Sequence, residues 1–214
     1  MTSFIYSKLT CPDCGQTDTC PRMASTNNLG WRQWSDGWGR GDYWQTETGL
    51  LVCRCGAVFT AEEANPEHDG RHWPSSPQTG GITECRSGNA WLAIRFRRWG
   101  SEGAERLVRL QCLWGIEEGE RMLSPLADAA VSALPPPPHA LSRESEENME
   151  RLLRLLESVD GYGLVRGDIQ RRLCRFDMAI SIYRADETIP AQWSDILCEL
   201  ARNEHSELVE LPVH

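Results

Sequence analysis

Lysine is almost missing from this chain: Lys8 stands alone beside 21 arginines. A GC-rich coding sequence produces that bias as readily as selection for guanidinium contacts, so it decides nothing about function. Long apolar runs are absent as well. No uninterrupted stretch reaches the 18 or so residues that cross a bilayer, and the opening MTSFIYSKLTCP has no signal-peptide core, so a cytoplasmic location and no membrane partner are expected. Positive charge is in short supply, with a net charge of −9 at pH 7. A dedicated nucleic-acid binder needs a basic footprint to displace counterions, and this balance argues against one. Residues 1–60 are neutral, residues 61–138 sum to −3 and residues 139–214 to −6. Motifs of catalysis are also lacking: there is no H-E-x-x-H, no G-x-S-x-G and no phosphate loop. Glu117, Glu118 and Glu120 read as a solvated helix end, and no enzymatic activity is expected.

Cysteine, by contrast, is plentiful. Cys11-Pro12-Asp13-Cys14-Gly15 is answered, 38 residues later, by Cys53-Arg54-Cys55-Gly56. Two close pairs of thiols separated by a β-rich insert suit a tetrahedral ion, because each pair forms a tight turn that grips one side of it. Structural Zn2+ held by Cys11, Cys14, Cys53 and Cys55 is the expectation, and a site closed by four thiolates leaves no position for water or substrate. These motifs, with the run Leu50-Leu51-Val52 leading into the second pair, resemble the zinc-ribbon family over roughly residues 8–60. The resemblance implies two knuckles at the ends of β-hairpins, with a small residue after each pair to let the backbone turn. The second pair departs from it, being C-x-C where C-x-x-C is usual; Cys20, His68 or His72 is the candidate replacement for a ligand. An odd count of nine cysteines favours reduced thiols over a disulfide framework. Cys112, Cys174 and Cys198 fall in helical apolar patterns and are expected in the core; Cys85 fits no pattern.

Between the knuckles lies Trp31-Arg32-Gln33-Trp34-Ser35-Asp36-Gly37-Trp38, followed by Tyr43 and Trp44. Asp36-Gly37 is a hairpin signal, since both residues tolerate the backbone of a two-residue turn. Strands are expected near 29–35 and 38–45, with a third over 50–53 after Thr48-Gly49. This stretch, set between its two knuckles, resembles a group of small bacterial proteins with an N-terminal ribbon and a helical remainder; the resemblance implies an architecture and no activity. The rings could stack on bases or line a peptide groove. Docking of the small ribbon on its neighbour is the stronger reading, with Trp38 and Trp44 left more exposed. Ala57-Val58-Phe59 is expected to pair back. Residues 61–82 read as an irregular linker whose prolines and glycine set His68 and His72 in non-helical surroundings.

From about residue 83 the period turns helical. Trp91, Leu92, Ile94, Phe96 and Trp99, then Leu107, Leu110 and Trp114, suggest two helices. Arg86, Arg95, Arg97, Arg98, Arg106 and Arg109 oppose only Glu102 and Glu105, the one basic patch of the chain. Ser124-Pro125 marks a helix start, and Pro135–Pro138 a stiff spacer. Met149, Leu152, Leu153 and Leu156 mark an amphipathic helix, and Leu164, Val165, Ile169 and Leu173 the next. Leu173 to Ala179 resembles the inter-helix turn of a tetratricopeptide repeat, with Ala179 at the small position and Tyr183 at the following aromatic one. No second copy is visible, and about three are needed for a superhelix, so a single degenerate helical hairpin is implied.

The expected fold class is therefore α+β, mainly α: a zinc ribbon over 1–60, a linker over 61–82, and a helical domain over 83–214 with a Pro-rich break at 135–138. The expected function is a zinc-stabilised protein–protein interaction or scaffold subunit of a bacterial multi-protein system, with another protein as partner. The alternative is a nucleic-acid-binding or regulatory zinc-ribbon protein that uses the Trp-rich ribbon and the Arg cluster at 86–109; Trp38, Trp44, Arg95 and Arg98 are the expected interaction surface. Oligomeric state is not legible.

Overall fold

The computed structural model describes residues 3–25, 32–40, 49–64, 81–85, 87–97, 99–116 and 142–212. Its strands are β1 (Ser3–Thr10), β2 (Thr17–Ser25), β3 (Arg32–Trp34), β4 (Gly39–Arg40), β5 (Leu50–Cys53), β6 (Val58–Thr60), β7 (Ile82–Glu84) and β8 (Glu210–Leu211). Its helices are α1 (Ser87–Phe96), α2 (Glu102–Ile116), α3 (Arg143–Leu156), α4 (Gly163–Arg172), α5 (Phe176–Ala185) and α6 (Ala191–Arg202). The class is α+β, mainly α. No helix among the described residues is long and apolar enough to cross a membrane.

The chain divides into two compact units. One comprises Met1–Gly30 and Gly41–Cys112, the other Trp31–Arg40 and Leu113–His214. This differs from the expected partition twice over. The strand β7, helix α1 and most of α2 belong with the cysteine-bearing strands, while the Trp-rich hairpin between the knuckles belongs with the C-terminal helices.

The first unit owes its extent to a strand that is apolar on both faces. β5 lies between β6 and β7, antiparallel to each. Alternate side chains of a strand point to opposite faces. Cys53, with Leu51 packed beside it, joins Leu9, Cys11, Ala57, Phe59, Ala64 and Ile82. Leu50 and Val52 face the other way, with Val58, Cys85, Ala90, Ala93, Val108 and Cys112, so α1 and α2 cover that side. A bare ribbon would leave this second face wet. Helix α2 starts at Ser101, whose Oγ accepts from the Ala104 N–H at 3.0 Å, and carries Glu102 and Glu105 in its positive first turn.

In the second unit the hairpin β3–β4 is extended by β8, giving the order β4-β3-β8. The pairs Gln33↔Leu211 and Trp34↔Glu210 join residues almost the whole chain apart. Helix α3 begins at Ser142, which accepts from the Ser145 N–H, and buries Met149, Leu152, Leu155 and Leu156 along one face. Ala179 and Tyr183, the positions singled out in the repeat-like stretch, lie in a core with Ile189, Leu197, Cys198, Ala201 and Leu211. Cys174 departs from expectation. It is exposed, at φ 57°, because it occupies the left-handed position of a helix stop: its N–H reaches Arg171 O at 3.0 Å and the Arg175 N–H reaches Gln170 O at 2.8 Å.

Candidate metal centre

Each pair of cysteines sits where a β-hairpin turns. Between β1 and β2, the Cys11 N–H donates to Gln16 O at 2.8 Å and the Gly15 N–H to Cys11 O at 3.0 Å. Between β5 and β6, the Cys53 N–H donates to Ala57 O at 2.9 Å and the Gly56 N–H to Cys53 O at 2.8 Å. Gly15 and Gly56 have φ of 72° and 88°, a region costly for any residue with a Cβ. The shortened C-x-C is thus accommodated by a tighter turn of its own, and Cys55 stays with the set.

The two turns are pinned together by backbone and by one buried carboxylate. Arg54 N–H donates to Gly81 O at 2.7 Å, and Asp18 Oδ2 accepts from the Ile82 N–H at 3.2 Å. Thr10 N–H reaches Ala64 O at 3.1 Å, and the 61–64 turn is fixed by a reciprocal pair: Thr60 N–H to Glu63 Oε2 at 2.6 Å, Glu63 N–H to Thr60 Oγ1 at 3.2 Å.

The result is that Cys11, Cys14, Cys53 and Cys55 place their four Sγ atoms within 4.8 Å of one another. Cys14 Sγ is 3.7 Å from Cys53 Sγ, and Cys11 Sγ is 3.8 Å from Cys55 Sγ. A metal–sulfur bond of about 2.3 Å in a regular tetrahedron sets its sulfurs about 3.8 Å apart. These four thiols therefore fit a tetrahedral ion, and soft thiolate donors suit zinc or iron over magnesium or calcium. Among the described residues this is the only group of three or more His, Cys, Asp or Glu side chains so disposed.

Burial splits the four into two kinds. Cys11 and Cys53 are buried, Cys14 and Cys55 exposed. Burial raises the pKa of Cys11 and pushes that of Cys53 up to about 12, whereas a hydrogen bond from the backbone at Gln16 lowers that of Cys14. Without a cation the buried thiols hold their protons; a bound metal supplies the charge that makes them thiolates and thereby ties metal binding to folding.

Of the other anticipated site residues, the side chains of Trp38 and Arg95 are described. Trp38, expected on an exposed face, is only 6% exposed, its ring centroid 4.9 Å from that of Trp34. Arg95 is exposed on α1. Trp44, Arg98, His68 and His72 lie outside the described residues, as do Ser124-Pro125, Pro135–Pro138 and Glu117 to Glu120. Cys20 is described only through its backbone, which pairs with Ser7 in the β1–β2 ladder.

A second cluster, in the helical unit, was not anticipated at all. Asp168 on α4 is fully buried and accepts from Ser35 Oγ at 2.6 Å, Arg171 Nη2 at 2.7 Å and Arg172 Nε at 2.5 Å. Arg172 Nη2 lies 3.9 Å from Asp36 Oδ2, and Arg171 Nη1 donates to His205 O at 2.7 Å. Asp36 caps its own turn by accepting from the Trp38 N–H at 3.1 Å, and its carbonyl accepts from Trp114 Nε1 at 3.1 Å. Burial disfavours the Arg171 cation but adjacent Asp168 outweighs it and raises its pKa, while burial draws Arg172 down to about 10. Two carboxylates thus balance two guanidiniums. Asp168 has its oxygens committed to three donors and no solvent access, so the cluster orders a core. The one signal for it in the sequence is the pair of tryptophans bracketing Ser35-Asp36-Gly37, too much apolar surface for a turn left in water.

Comparison of the chain with protein-family models, with curated proteins and with solved structures returned no match.

Proposed function

We propose that this protein is a zinc-stabilised interaction or scaffold subunit of a bacterial multi-protein system, in which Zn2+ on Cys11, Cys14, Cys53 and Cys55 shapes a ribbon-like unit for docking another protein. The observation that carries the reading is the cluster of four thiols within 4.8 Å of one another, a donor set that would close the metal to substrate and leave it a folding role. A reducing compartment such as the cytoplasm suits these thiols. The surface that supports docking is on α1: Leu92 and Phe96, one turn apart, are 53% and 63% exposed, with exposed Arg95 between them in the sequence. Aromatic, leucine and arginine side chains grouped on one helix face suit a hydrophobic anchor with a polar rim. Metal analysis should give about one zinc per chain, with four sulfurs at about 2.3 Å by X-ray absorption. A partner captured from the native host should be lost from a Leu92→Asp/Phe96→Asp variant that keeps its zinc. A partner set identical for both proteins would refute the docking face.

The nucleic-acid reading draws on the exposed Arg95 and Arg97. Burial of Trp38 removes one of its stacking rings, and Arg109 is engaged by Glu105 at 2.9 Å and by the face of Trp99. Oligonucleotide titration at low salt decides it, since phosphate contacts are strongest there.

A further inference from the structure

Within the set of four sulfurs, all within 4.8 Å of one another, two contacts across the knuckles each join one exposed thiol to one buried thiol. Cys14, exposed, is 3.7 Å from buried Cys53; Cys55, exposed, is 3.8 Å from buried Cys11. An oxidant arriving from solvent meets Cys14 and Cys55 first, and each of them has its resolving partner already beside it on the other hairpin. A disulfide needs its sulfurs about 2.05 Å apart, so each pair has less than about 2 Å to close.

We propose that this centre is a site of reversible oxidation, in which hydrogen peroxide converts the metal-bound thiolates to the cross-knuckle disulfides Cys14–Cys53 and Cys11–Cys55 and releases the metal. The inference rests on the zinc reading above. In the first step the exposed thiolate attacks one peroxide oxygen; the O–O bond breaks, a sulfenic acid forms and hydroxide leaves. In the second the buried thiolate attacks the sulfenic sulfur; the S–S bond forms, the S–O bond breaks and a second hydroxide leaves. Each disulfide consumes one peroxide, which takes two electrons from the two sulfurs. Zinc, deprived of its thiolates, departs. A dithiol returns the electrons and protons, and zinc rebinds.

The geometry has a structural corollary. Disulfides within each knuckle, Cys11–Cys14 and Cys53–Cys55, would leave the two hairpins with no covalent or metal tie at the knuckles once the metal is gone. The cross-knuckle pairs close loops between residues 39 and 44 positions apart and replace the metal as the tie between hairpins. Oxidation should therefore release zinc without unfolding the unit that held it.

The test uses the full chain carrying Cys20→Ser and Cys174→Ser, which leave only buried Cys85, Cys112 and Cys198 besides the four ligands, loaded with zinc and treated with hydrogen peroxide. A colorimetric chelator reads the zinc, N-ethylmaleimide blocks remaining thiols, and trypsin is followed by mass spectrometry without reduction. Cleavage after Arg40 and Arg54 separates Cys53 from Cys55, so the expected product is the peptide 9–22 linked to both 41–54 and 55–71. Fragmentation should place Cys14 with Cys53 and Cys11 with Cys55, with release of about one zinc per chain and its recovery after dithiothreitol. Zinc bound but retained under peroxide, disulfides within the knuckles, the reverse pairing, or irreversible sulfinic and sulfonic products would each overturn the oxidation and leave the metal reading intact. A chain that takes up no zinc before peroxide is added overturns both.

Discussion

Removing the carboxylate of Asp168 should be among the most damaging single changes in the helical unit. The side chain is fully buried and takes hydrogen bonds of 2.6, 2.7 and 2.5 Å from Ser35, Arg171 and Arg172. In Asp168→Ala both guanidiniums stay in the core without the carboxylate that accepts from each of them, and Asp36 stands 3.9 Å from Arg172. Stranding a buried charge by removing its partner costs about 3–5 kcal/mol, against a whole-domain stability of about 5–15 kcal/mol. Asp168→Asn should cost almost as much, because the amide removes the charge and turns an N–H group toward guanidinium donors. The stronger statement concerns the pair. In Asp168→Ala/Arg171→Ala one unbalanced cation goes with the anion, so the double variant should be less damaged than the two singles combined, by about 1–3 kcal/mol. Urea unfolding at fixed zinc concentration, followed by far-ultraviolet circular dichroism for the helices and by tryptophan fluorescence for Trp34, Trp38 and Trp114, measures all four corners of the cycle. A cost below about 1 kcal/mol for Asp168→Ala, or simple additivity, would show that the carboxylate is not what holds the hairpin to α4.

Three further outcomes follow from named geometry. Cys14→Ser or chelation of zinc should abolish hydrogen-exchange protection in β1, β2, β5 and β6 and weaken it in α1 and α2, which share a core with β5, while α3 to α6 keep theirs. Gly37→Ala should cost more than Gly15→Ala: both glycines have positive φ, worth about 1–2 kcal/mol, but a Cβ on Gly37 would meet Val165 Cγ2 at 2.7 Å and one on Gly15 meets nothing within 4 Å. Tyr183 has its pKa raised by burial and by the charge of Asp168, so the folded chain binds its proton more tightly than the unfolded one. Its contribution is complete below the ordinary tyrosine value of about 10 and is lost as pH rises beyond it, so chemical denaturation repeated from pH 8 to 11 should show an alkaline fall that Tyr183→Phe flattens.

What the sequence made legible is what short-range chemistry determines. The Cys-Gly spacing marks both knuckles, Leu50 to Cys53 is a strand as expected, and the apolar spacing from Met149 to Leu156 produces the buried stripe of α3. Asp36-Gly37 marks the hairpin, with β3 and β4 on either side of it. The misplaced features depend on partners far away in the chain. Trp38 looked available because nothing near it in sequence covers it; β8, about 170 residues on, and Trp114 are what enclose its turn. Asp168, Arg171 and Arg172 read as an ordinary charged helix face, and only the arrival of Ser35 and Asp36 turns them into a neutral core cluster. The extent of the first unit was hidden for a related reason, since a four-residue strand gives no sign of whether one face or both will be buried.

The hairpin between the knuckles also determines how this gene can be cut. Any C-terminal fragment that begins after Arg40 lacks Ser35 and Asp36, and with them one of Asp168's three donors and the carboxylate that offsets Arg172. Any N-terminal fragment that stops before Glu210 leaves β3 without one of its two neighbours. The two units are interleaved as sequence, so neither can be expressed, fused or exchanged as a simple half; each would need a redrawn chain in which residues 31–40 travel with the helices.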